Sequence, residues 1–370
     1  MKSVVHLVLI AFAVMLTSCK VEPPEFEEIV IDDAAPDHVW MKAIGDINND
    51  GRDDLLVGGW QSGGLVAYLA PDWKRHAIVD TVRVSTDGEV YDMNNDGVSD
   101  IVAVVQRAIV WFEGPDWKIH RIDSVTAHDV EVDDFDGDGA LEVVARNQGA
   151  FGSQGGHTLF IYDRDETGSW KKFTREIPDG EGLKKADING DGKMDLVVNA
   201  HWYENTGDLS AWVEHSFSDT WTWPNTHIDV ADINGDGRAD ILHSPAELVK
   251  NVYRVSWFEA PSDPKTIWKE HVIADSVEAV VHSIGAADFD EDGRMDVVVA
   301  EMQQGADPDE VIIYYNRGDN RWDKQVVSTG GCHSMQILDA DGDGDLDFFG
   351  ANFAENKVRM WINKKRHSEP

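Results

Sequence analysis

Cysteine is nearly absent: 370 residues carry two, Cys19 and Cys332. Such a chain cannot be a disulfide scaffold, and its stability has to come from a core or from bound ions. Positive charge is also scarce, with 32 Lys and Arg against 69 Asp and Glu, a formal net charge of −37. That excess argues against nucleic acid as a partner and against an electrostatic hold on anionic lipid. Long apolar runs are missing beyond Val4 to Leu16. No glycine loop for a nucleotide and no serine- or cysteine-nucleophile arrangement is recognisable.

The one apolar run follows Lys2 and ends at Leu16-Thr17-Ser18-Cys19. It is too short for a comfortable transmembrane span and reads as an export signal over residues 1–19. Leu-Thr-Ser-Cys resembles a bacterial lipobox, which implies lipidation of Cys19 and a chain held to the cell envelope, periplasmic or outer surface, by its lipid alone. Residues 20–25 read as an acidic tether, 26–365 as the folded domain and 366–370 as a tail. Cys332 is then the single thiol of the exported chain and is expected to be buried.

One acidic pattern recurs seven times. Its members are Asp46, Asn48, Asp50 and Asp54; Asp92, Asn94, Asp96 and Asp100; Asp134, Asp136, Asp138 and Glu142; Asp187, Asn189, Asp191 and Asp195. They continue with Asp232, Asn234, Asp236 and Asp240; Asp288, Asp290, Asp292 and Asp296; Asp339, Asp341, Asp343 and Asp347. Oxygens at positions 1, 3, 5 and 9 with a carbonyl at 7 can wrap one hard cation, and glycine at position 6 permits the turn. An EF-hand would need a glutamate at position 12 and flanking helices, whereas these loops run straight into strands such as Leu196-Val-Val or Val297-Val-Val. Up to seven Ca²⁺ are expected, which would set +14 against the −37.

Loop starts lie 42 to 56 residues apart, from Asp92 to Asp134 and from Asp232 to Asp288 at the extremes, the length of a four-stranded unit. A third strand ends in an aromatic pair (Trp111-Phe112, Trp202-Tyr203, Trp257-Phe258, Tyr314-Tyr315). A fourth opens on Trp-x-x-His (Trp73 to His76, Trp117 to His120, Trp268 to His271), read as packing. The seventh repeat stops after its third strand, and Phe26 to Ile31 resembles the missing fourth. The expectation is an all-β, seven-bladed propeller whose ring is closed by the N-terminal strand, which removes exposed sheet edges. The loops and strands resemble the FG-GAP and VCBS repeat family, whose propellers carry this calcium loop between the first and second strands of each blade.

With the calcium loops on one face, the other face holds the starts of the inner strands. Five or six residues before each loop stand Trp40, Thr86, His128, Glu181, His227, His282 and His333. The loops after the second strands add Trp60, Arg146, Asn147, His201, His243 and Glu301. Either the histidines cap strand starts by bonding to the neighbouring blade, or His227, His282 and His333 converge on Zn²⁺ or another divalent ion.

The His-Ser openings at His282 and His333 and the Trp-Phe-Glu strands also resemble the propeller domain of aldos-2-ulose dehydratases and, more loosely, propeller-fold polysaccharide lyases. That resemblance implies metal-assisted elimination on a sugar, with His128, His227, His282 and His333 as its catalytic face. In such a reaction a bound metal or Arg146 would stabilise an enolate, and a further histidine or Glu301 would exchange protons. Trp40, Trp60, Asn147, His201 and His243 would contact the carbohydrate. A non-catalytic carbohydrate-binding module and a scaffold for an envelope protein remain open beside the lyase.

Overall fold

The structure is a computed structural model and describes residues 23–148, 156–247, 253–277, 280–303 and 308–364. The export signal, Cys19, half of the tether and the tail lie outside the described residues, as do 149–155 and 304–307. Among the described residues, twenty-eight strands form seven four-stranded antiparallel sheets. No helix among the described residues is long and apolar enough to cross a membrane. Each sheet is a blade, and in blades 1 to 6 the strands run in chain order from inner to outer. The inner strands are Asp37–Gly45, Val84–Tyr91, Asp129–Asp133, Lys184–Ala186, Thr226–Ala231, Ser283–Ala287 and His333–Leu338.

The apolar core is divided among the gaps between blades. Strand Asp100–Val105 of blade 2 shows why, because its neighbouring side chains point to opposite faces. Ile101, Ala103 and Val105 pack toward blade 1 with Met41 and Leu56, while Val102 and Val104 pack toward blade 3 with Val130 and Val143. A second strand sandwiched on both faces must be apolar throughout, and so it reads. Seven such clusters separate the seven pairs of adjacent blades.

Phe26–Asp32 pairs antiparallel with Val358–Asn363 and completes blade 7, as the sequence led us to expect. Its ring Phe26 packs on Phe289 and Phe348 at 6.0 and 5.5 Å. Glu28 receives Arg359 at 3.2 Å and the Trp361 indole N–H at 3.3 Å. The seam between blades 7 and 1 is filled like the other gaps, with Leu55, Val57 and Tyr68 against Leu338, Phe349 and Met360.

The Trp-x-x-His strands are packing devices, in a more specific way than the sequence suggested. In blades 2, 4 and 5 the imidazole of His120, His215 or His271 stacks on Trp111, Trp202 or Trp257 at 4.4, 4.5 and 4.2 Å. The far ring nitrogen meets Glu113, Glu204 or Glu259 at 2.6 to 2.8 Å. Burying a tryptophan contributes about 2–3 kcal/mol and a half-exposed ion pair under about 1, so the aromatic packing dominates.

Candidate functional site

Each acidic loop joins the first and second strands of its blade. Six of the loops share one hydrogen-bond pattern, seen in blade 1 as the Asp46 carboxylate accepting from the N–H groups of Asp50 and Gly51 at 3.0 and 2.7 Å, and blade 7 keeps its glycine half. The position-9 carboxylate is buried and bound to backbone within the loop and at the end of the third strand: Asp54 accepts from Ile47 at 3.3 Å and Ala70 at 2.8 Å. Asp100, Asp195, Asp240, Asp296 and Asp347 repeat this double contact.

Three loops bring three carboxylates within 4.8 Å of one another: Asp134, Asp136 and Glu142; Asp288, Asp290 and Asp296; Asp339, Asp341 and Asp347. These are the loops with Asp at position 3, where the other four carry Asn. Glu142 Oε1 is buried with no hydrogen-bond partner, and burial together with the Asp136 charge pushes its carboxyl up to about 8. Burial and Asp290 take Asp296 up to about 8 as well. Loops so rich in carboxylate oxygen, one of it unpartnered, fit a hard divalent cation.

The opposite end of the channel gathers most of the residues expected there. A small inner cavity of roughly 110 Å³ is lined by Thr86, His128, Glu181, His227 and His282 together with Lys42, Asp87, Asp129 and Lys184. A wider cavity of roughly 600 Å³ opens above it, lined by Trp40, Trp60, Asn147, Gln148, Glu247, His333 and Phe353, and shares Thr86, His128 and His282 with the first. Trp40 lies at the centre of an aromatic stack, 4.8 Å from Trp60 and 5.1 Å from Phe353, nearly parallel to both.

The four histidines differ in charge. His128 lies 2.9 Å from Asp129 and 3.3 Å from Glu181. Burial disfavours its cation, but those carboxylates outweigh burial and lift it to about 9. Burial lowers His227 to about 4 and holds His282 and His333 well below the usual imidazole range, so these three are neutral. They do not converge as a metal triad. The His282 and His333 rings stack at 4.2 Å, which sets their in-plane lone pairs side by side, and Nδ1 of His333 sits 3.2 Å from the Lys42 ammonium. The histidine-bearing group that does meet is Glu181, Glu247 and His282, with ligand atoms within 4.8 Å.

Four expected site residues lie elsewhere. Arg146 is fully buried beneath the mouth, donating to the carbonyls of Gly182 and Pro178 and to Asn199, and so ties blade 3 to blade 4. His243 sits between Phe217, Trp221 and Phe258 inside the core between blades 4 and 5. His201 begins a third strand and faces Glu214 at 3.2 Å. Glu301 accepts from the Glu310 N–H at 2.9 Å and lines a separate cavity with Val272 and Tyr314. Cys332 is buried, as expected.

Three of the bonds between neighbouring inner strands come from residues that the sequence reading passed over. Asp87 accepts from the Val130 N–H, Asp129 from Gly182 and Asp229 from Ala286, each on the next blade. The signal was present as Thr86-Asp87, His128-Asp129 and His227-Ile-Asp229, and the histidines add links of their own, His128 to Glu181 and His333 to Lys42. Lys42, buried and donating to the carbonyls of Val39 and Trp40, was likewise missed.

The FG-GAP-like repeat matches at residues 134–198, 187–243 and 288–350, which covers blades 3 to 7 in part. No curated protein matches the chain. Among solved structures, the V. cholerae biofilm matrix protein Bap1 is similar in fold, with a TM-score of 0.56 and 11% identity over 92% of this chain and 91% of that one. The chain is thus a seven-bladed propeller carrying FG-GAP-like repeats.

Proposed function

We propose that this propeller of FG-GAP-like repeats is a calcium-stabilised carbohydrate-binding protein of the cell envelope, with its ligand in the channel mouth. The observation that carries the reading is the Trp60–Trp40–Phe353 stack along one wall of a roughly 600 Å³ cavity. Sugars offer flat C–H faces rimmed by hydroxyls, and this wall supplies the apolar surface while Asn147, Gln148, Glu247 and His128 supply polar partners. The stacked aromatic wall speaks for binding, and two of the groups named for elimination, Arg146 and Glu301, lie outside the cavity.

Calcium would be held by the seven loops, and its chemistry there is charge neutralisation and a fixed turn. The unpartnered Glu142 oxygen and the compact carboxylate triplets support this assignment. Lipidation at Cys19 would hold the propeller at the envelope, on the side of the calcium loops where Phe26 pairs with Asn363, and leave the mouth facing away from the anchor, where saccharide or an envelope protein is met. A Cys19→Ser variant should then leave the membrane fraction.

The ligand assignment is tested with a glycan array followed by calorimetry on the best binder. Trp60→Ala should weaken binding at least tenfold, about 1.4 kcal/mol or more, with the circular dichroism spectrum unchanged. Affinity untouched by Trp60→Ala would remove the mouth as the site.

A further inference from the structure

The inner and outer cavities meet at His282, which lines both, while Glu181 belongs to the inner cavity and Glu247 to the outer. We propose that Glu181, Glu247 and His282 hold a divalent transition-metal ion at this junction, and that its open positions take a carboxylate or paired hydroxyls of the sugar. The second half rests on the carbohydrate reading above; the metal site does not.

Glu181 is 2% exposed and asymmetrically used. Its Oε2 faces His128 at 3.3 Å and accepts from the Gln148 amide, while Oε1 is buried without a hydrogen-bond partner. That free oxygen lies 3.6 Å from Nε2 of His282, too far for a hydrogen bond. Two ligands on one ion, each about 2.1 Å from it, stand about 3.0–3.4 Å apart, so the separation suits a shared ion. Glu247 completes a set whose ligand atoms lie within 4.8 Å of one another. Two carboxylates and one imidazole favour Mn²⁺ or Zn²⁺ over calcium, which prefers six to eight oxygens. Three protein ligands leave positions open, and Glu247 and His282 share the outer cavity with the Trp40 and Trp60 rings.

The test uses full-length protein in detergent with calcium saturating, so that the loops are filled, and Mn²⁺ as the probe. One calcium-resistant Mn²⁺ per chain is expected. Its pulsed paramagnetic resonance should show ¹⁴N coupling from an imidazole, a signal the loops cannot give because none contains histidine. Glu181→Gln, Glu247→Gln and His282→Gln should each weaken Mn²⁺ at least tenfold, and His282→Gln should erase the nitrogen signal, while His333→Gln leaves both intact. Half-buried Glu247 is the variant least able to disturb folding, and circular dichroism in calcium checks all four. Absence of a calcium-resistant Mn²⁺, or nitrogen coupling that survives His282→Gln, overturns the site.

Glycan affinity is then compared with and without Mn²⁺. A tenfold or larger gain that disappears in Glu247→Gln supports the sugar contact. Metal binding with glycan affinity unchanged overturns that contact and leaves the carbohydrate reading standing. Nitrogen-coupled Mn²⁺ with no glycan bound overturns the carbohydrate reading alone.

Discussion

His243 and His271 are both imidazoles against tryptophan, and their surroundings separate them. His243 is completely buried, with neither ring nitrogen hydrogen-bonded, and burial lowers its pKa to about 3. A polar ring without partners costs folding free energy that an apolar side chain of similar size avoids. His243→Leu is therefore expected to raise stability by about 1 kcal/mol, read from the urea midpoint, and to leave glycan affinity unchanged. His271 instead has its Glu259 bond, which holds that carboxyl below the usual range. A carboxylate depressed in the native state contributes stability above its unfolded pKa, about 4.3, and loses it as pH falls through the native value. With both groups part-exposed the contribution is under about 1 kcal/mol. Glu259→Gln should be less stable than the parent at pH 7, and the two should converge in urea titrations as the pH falls below the native value of Glu259; a difference that persists in strong acid would show another origin.

At the scale of strands, the N-terminal segment Phe26–Asp32 is the element whose removal has the widest effect. Without it Val358–Asn363 becomes an unpaired apolar edge, a template for pairing with another chain. Deletion through residue 32 should give oligomers on size exclusion and a broadened unfolding transition; a stable monomer would mean that the ring closes by other contacts. This element was legible in the sequence because a repeat was one strand short and the spare strand stood at the other end. The acidic loops were legible for a similar reason, their ligand spacing being local in the chain. The mouth was legible only in part. Counting back from each loop placed His128, Glu181, His227 and His282 together, because all blades share one register there. Reading the ends of the second strands misplaced His243 and Arg146, because position along a second strand does not say whether a side chain enters the core or the channel. Phe353 and Glu247 escaped notice because they belong to loops with no common register.

For the whole molecule, electrostatics and packing oppose each other. A net charge of −37 repels itself, and 24 of the 69 acidic residues stand at positions 1, 3, 5 and 9 of the seven loops, four each in the loops of blades 3, 6 and 7 and three in each of the others. Seven calcium ions would offset a large part of that field. A ligand present at a hundred times its Kd adds about 2.7 kcal/mol per site. Chelation with EGTA should lower the melting midpoint by roughly 10 °C or more, with added sodium chloride restoring a part through screening. A midpoint indifferent to chelation would mean that the loops are turns and nothing else.

The strap that completes blade 7 also sets a timetable. Glu28 emerges early from any ribosome or translocation pore, yet its partner Trp361 follows 333 residues later. Blades 1 to 6 can assemble in order as they appear, each finding its neighbour at short range. The closing strand must stay unpaired throughout, a loose apolar ribbon waiting for the last hairpin. Maturation therefore ends with a single long-range event, and a chain stalled before its C-terminus is an open spiral with an unsatisfied edge at each end, recognisable to chaperones and proteases as unfinished.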